Sequence, residues 1–131
     1  MKQFLLALCL IALPTAAFTG FEMKFASTPA GAAAGSSLGD LSALKTIVAD
    51  VQAVAGKGDL VAAEKRARDF ESAWDLATNS LRAMNKADWG NIDDASDAML
   101  KAVREKTPDA KKVNETLAAL MAALNDPSKA P

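Results

Sequence analysis

The sequence predicts an all-α protein: an antiparallel up-down-up-down four-helix bundle behind an N-terminal signal peptide. Three observations predict it. Apolar side chains recur at steps of three and four through four successive segments. No segment alternates with period two, so strands are not expected. Capping or breaking residues bound each segment. A chain of 131 residues is enough for one domain.

The leader comes first. Lys2 gives a short positive start, Phe4 to Leu13 is an uncharged apolar run, and Pro14 breaks it. Thr15, Ala16 and Ala17 are small residues where a signal peptidase cuts, which makes residues 1–17 a secretory signal. The run is about half the ~20 residues that span a bilayer, so no membrane span is expected in the mature chain. Ala17 is the natural cleavage site by distance. Ala32-Ala33-Ala34 offers a second site, with Glu22 and Lys24 lying between it and the apolar run. Cys9 follows Leu8, where a lipid-attachment site needs a small residue. The expected location is periplasmic or secreted.

Residues 18–39 are expected as a flexible linker. Phe18, Phe21 and Phe25 sit at near-helical spacing in a mobile leader, and residues 26–39 are small side chains with no means of burying a core. Export also removes Cys9, the one cysteine, so no disulfide is available and packing must hold the fold.

The bundle is expected over residues 40–126. Asp40 can cap the first helix, whose stripe is Leu41, Leu44, Ile47, Val51 and Val54, and Gly56-Lys57-Gly58 ends it. Asp59 caps the second, where Leu60, Ala63, Ala67, Phe70, Trp74, Ala77, Leu81 and Met84 form one stripe. Asn85 is the break. The third carries Trp89, Ile92, Ser96, Met99 and Val103. Thr107-Pro108-Asp109 supplies a cap, a first-turn proline and an acid for the fourth, with Ala110, Val113, Leu117, Leu120 and Leu124. Asp126-Pro127 stops it, leaving a tail over 127–131. A hairpin centred near Lys57-Gly58 puts Asp50 and Arg66 at one height, which predicts an ion pair between the first two helices.

Composition narrows the chemistry. The chain has no His and no Tyr, and 16 acids against 15 Lys and Arg leave no basic stripe for nucleic acid. No catalytic residue is assigned and no cofactor is expected. Haem in particular lacks a histidine ligand. Gly56-Lys57-Gly58-Asp59 has neither the spacing nor the preceding strand of a phosphate loop. Ser36-Ser37 has no neighbouring base.

Two groups of carboxylates remain. Asp88, Asp93, Asp94 and Asp97 crowd the start of the third helix, and clustered carboxylates suit a hard cation, with Asp93 and Asp97 as candidate metal ligands. The helix dipole accounts for the same acids, and Asp97 can pair with Lys101 four residues on. Asp69 and Asp75 face away from the second stripe and are candidate partner contacts. Trp74 and Trp89 fall on core stripes. An end-closing Trp89 beside methionines is also placed to flank an apolar-ligand pocket.

From Arg66 to Asp75 the order is Arg-x-x-Asp-Phe-Glu-x-x-Trp-Asp, followed by Trp89 and by Asp93-x-x-x-Asp97-x-x-Leu100. This order resembles a group of small exported α-helical proteins of proteobacteria, of unassigned function and sometimes labelled histidine kinase. The resemblance implies an exported bundle and carries over no active site. A histidine kinase needs a phosphoacceptor histidine, which this chain lacks. The function expected is therefore a non-catalytic exported bundle that binds a protein or envelope component. The alternative is a periplasmic accessory protein that binds a hard metal ion through carboxylates.

Overall fold

Four α-helices and one 3-10 turn account for the regular structure, and no strand occurs among the described residues. The computed structural model describes residues 36–130. The expected signal peptide, Cys9, both cleavage sites, the linker up to residue 35 and Pro131 lie outside them. Helix α1 is Ser42–Gly56, α2 is Leu60–Met84, α3 is Lys86–Val103 and α4 is Ala110–Asn125, followed by the turn Pro127–Lys129. Each helix packs against the next, and α4 packs against α1, so the four enclose a single apolar core as a helical bundle.

The helix ends follow from the side chains there. Gly58, at φ +82°, ends α1 in a left-handed turn: its amide donates to the Ala55 carbonyl and the Asp59 amide to that of Val54. That pair of bonds is the Schellman arrangement, which favours glycine because it has no Cβ. Asp59 accepts from the Ala62 amide at 2.9 Å and caps α2. Asn85, in extended backbone, both ends α2 and caps α3 through the Ala87 and Asp88 amides. Two expected caps shift. Asp109, not Thr107, caps α4 by accepting from Lys112 N, which leaves Pro108 ahead of the helix. Asp40 stands one residue before the α1 cap position and accepts from the Ser42 amide at 2.8 Å. Its hydrogen bonds with Ser42 hold its carboxyl below the ordinary range.

The core keeps most of the expected stripes. Ala63, Ala67, Phe70, Trp74 and Leu81 of α2 are buried, as are Ile92, Ser96, Met99 and Val103 of α3 and Val113, Leu117, Leu120 and Leu124 of α4. In α1 the centre of the stripe moves: Val48 and Ala55 are buried while Ile47 and Val54 are half-buried. Contact with α2 on one side and α4 on the other widens the covered face, and the mid-line between them decides which residue is deepest. Two expected stripe members leave the core, and Leu60 and Ala77, like Trp89, are half-buried against it. Met84 is 61% exposed where α2 ends, and Ala110 is exposed at the start of α4. Asp50 and Arg66 do pair, at 2.8 Å.

The core also reaches past both expected boundaries. Leu38 is 1% exposed and joins it, with the Gly39 amide donating to the Ser36 carbonyl and the Ser37 hydroxyl to the Asp88 carboxylate. Gly39 has φ +74°, the left-handed conformation that lets the chain turn into α1. Pro127 is buried and its carbonyl accepts from Asn91 Nδ2 at 2.8 Å. One leucine and one proline thus extend the folded unit beyond residues 40–126.

Candidate functional site

The densest arrangement of distinctive side chains spans α2 and α3. Phe70 and Trp74 lie four apart on α2, hence on one helical face. Their rings are stacked at 6.3 Å between centroids and 9° between planes. Trp89 continues the column from α3, 6.3 Å from Trp74 and 4° from parallel. Offset aromatic pairs of this kind contribute ~0.5–1.5 kcal/mol beyond their buried area. Arg82 closes the outer end, its Cζ 5.3 Å from the Trp89 centroid, within cation–π range. The two indole nitrogens differ. Trp74 Nε1 donates to Asp93 Oδ1 at 2.9 Å, whereas Trp89 Nε1 is buried with no hydrogen-bond partner among the described residues.

This arrangement reassigns the acidic cluster. Asp93 is the acceptor for a buried indole, and Asp88 accepts from Ser37. Asp94 and Asp97 are exposed. No group of three His, Cys, Asp or Glu side chains suited to a metal ion occurs among the described residues. Asp93 and Asp97, the expected ligand pair, are therefore divided between a hydrogen bond to Trp74 and the surface, and belong to no such group. The expected Asp97–Lys101 pair is also missing from the ion pairs of the described residues, in keeping with the few tenths of a kcal/mol such exposed pairs contribute.

Asp69 and Asp75 are both exposed on α2. Asp69 bonds Arg66 Nη1 at 2.8 Å, so one guanidinium is shared by Asp69 and Asp50, and the two carboxylates hold its proton more firmly than usual. Asp75 has no ion-pair partner among the described residues. Glu71 is tied to Arg104, just past the end of α3, which holds its carboxyl below the ordinary range against a smaller opposing effect of burial.

A shallow groove of about 210 Å³ lies between α3 and α4, lined by Asn91, Asp94, Ala95, Ala98, Ala119 and Ala130. It carries one carboxylate and no nucleophile.

The sequence reading missed the Trp74–Asp93 bond. The signal was present: with Asn85 as the turn, residues near 74 and 93 fall at similar heights on adjacent helices. No protein-family model, curated protein or solved structure matches this chain.

Proposed function

We propose that this chain is a non-catalytic, exported helical-bundle protein that binds a protein or envelope partner through the outer faces of α2 and α3. The carrying observation is the set of exposed carboxylates Asp75, Asp94 and Asp97, which have no ion-pair partner among the described residues. In contrast, Arg66, Arg68 and Arg104 are each held by an acid. Unpaired surface charge contributes little to folding and is free to steer and orient a partner of opposite sign. The up-down-up-down topology suits this role. Its support is the tight Gly58 turn, the Asp50–Arg66 pair and the packing of α4 on α1. The apolar leader and the resemblance to small exported proteobacterial bundles support export.

Photocrosslinkers placed at Asp75 and Asp97 in intact cells test the reading. A discrete adduct, lost when the crosslinker is moved to the exposed but distant Val61, is the expected result. Absence of any adduct from positions 69, 75, 94 and 97 would sink it.

A further inference from the structure

The second half of α2 has a different character from the first. Glu64, Asp69, Glu71 and Asp75 crowd residues 60–75, but from Leu76 to Ala87 there is no acid, only Arg82 and Lys86. The same stretch holds two of the most exposed large apolar side chains, Leu76 at 87% and Met84 at 61%, with Ala83 and Ala87 also exposed. Neither Arg82 nor Lys86 has an ion-pair partner among the described residues. Arg82 lies over Trp89, whose buried indole N–H has no acceptor among those residues.

From this we propose that the α2–α3 turn, Arg82 to Trp89, whose one acid, Asp88, accepts from Ser37, rests on an anionic lipid surface. The inference goes beyond the partner reading above, concerns a different part of α2 and does not depend on it. A thioether, an indole and two cations without counter-ions are the side chains that settle at the headgroup level of a bilayer, apolar parts inward and charges on phosphate. A protein partner fits less well. A stable protein interface needs roughly 800 Å² from each side, and this end of α2 offers only two large, well-exposed apolar side chains, Leu76 and Met84, with Leu76 outside the turn. A bilayer accepts a small protrusion. Arg82 reaching for a lipid phosphate uncovers the face of the Trp89 ring that it lies over. Each cation near an anionic surface strengthens binding about five-fold, so the pair gives about 30-fold, enough for a reversible contact.

The test uses the full chain with Trp74→Phe, which leaves Trp89 as the one tryptophan, and vesicles of phosphatidylethanolamine and phosphatidylglycerol at about 3:1. The vesicles carry bromine on the acyl carbons nearest the headgroup. Trp89 emission is expected to be quenched on these vesicles and not on pure phosphatidylcholine. The double variant Arg82→Gln, Lys86→Gln should weaken partitioning about 30-fold, and Met84→Asp should abolish quenching. All three positions are exposed, and unchanged circular dichroism confirms that their variants fold. The native chain run in parallel gives the same dependence if Trp74→Phe disturbs the fold. Equal quenching on both vesicle types overturns the proposal. So does binding through residues 4–13 that leaves Trp89 unquenched.

Discussion

Trp74 of α2 and Asp93 of α3 are joined by an indole-to-carboxylate hydrogen bond of 2.9 Å. It is the point at which the aromatic column meets the acidic surface. Trp74 is buried, so its N–H depends on this one acceptor, and one of the two candidate metal ligands is committed to the fold. Asp93→Ala should cost ~1–3 kcal/mol, the penalty for a buried donor left unpaired. Asp93→Asn keeps an acceptor oxygen and should recover most of that loss. Urea unfolding followed by circular dichroism decides it, and equal stabilities for the two variants would argue against the bond.

Leu38 and Leu76 provide the sharpest contrast between position in sequence and position in the fold. Leu38 lies in a stretch of small residues and is 1% exposed, while Leu76 lies within a regular helix and is 87% exposed. Leu38→Ala should therefore destabilise by ~2–5 kcal/mol, and Leu76→Ala by no more than ~0.5 kcal/mol. Thermal melts of the two variants beside the parent chain are the measurement.

Substituting two glycines should change stability in opposite directions. Gly58 has φ +82°, so Gly58→Ala should cost ~1–2 kcal/mol whatever space surrounds it. Gly90 lies inside α3, and a Cβ added there meets no atom within 4 Å. Gly90→Ala should stabilise by ~0.5–1 kcal/mol. Both values are read from denaturant midpoints at constant slope.

Acid should weaken the contact between Glu71 and Arg104. The guanidinium hydrogen bonds hold the Glu71 carboxyl below its ordinary value of 4.5. A group depressed in this way adds stability at pH above its unfolded pKa and loses it as pH falls through the folded one. Both side chains are more than a third exposed, so water screens the pair to ~0–1 kcal/mol. The stability gap between the parent chain and Glu71→Gln should therefore be present near neutral pH and close on acidification below about pH 4. A gap that is constant with pH would separate Glu71 from this effect.

Much of the fold was legible because apolar spacing and helix capping agree along the chain. Phe70, Trp74 and Leu81 could be placed from spacing alone, and the turn at Gly58 set the height at which Asp50 meets Arg66. The rest depends on where neighbouring helices sit. Val48 is deeper than Ile47 because α2 and α4 flank that line of α1, which no local pattern records. Leu38 was hidden because a lone leucine among small residues carries no periodicity. Asp93 was hidden for a different reason: helix dipole, metal ligation and an indole partner all call for the same carboxylate. Met84 kept the spacing of its stripe, but α2 ends there and Asn85 turns the backbone out of the helix, so the pattern outlasts the covered face by one residue.

The first turns of α3 hold the chain from both directions. Asp88 accepts from Ser37 near the start of the described chain, and three residues later Asn91 donates to Pro127 near its end. The two ends of the described residues therefore lie side by side. A short peptide in place of residues 1–35 is expected to join them, with the chain reopened in the connection between α3 and α4, where Lys106 and Thr107 are exposed. The order of helices along the polypeptide is thus separable from their arrangement in space.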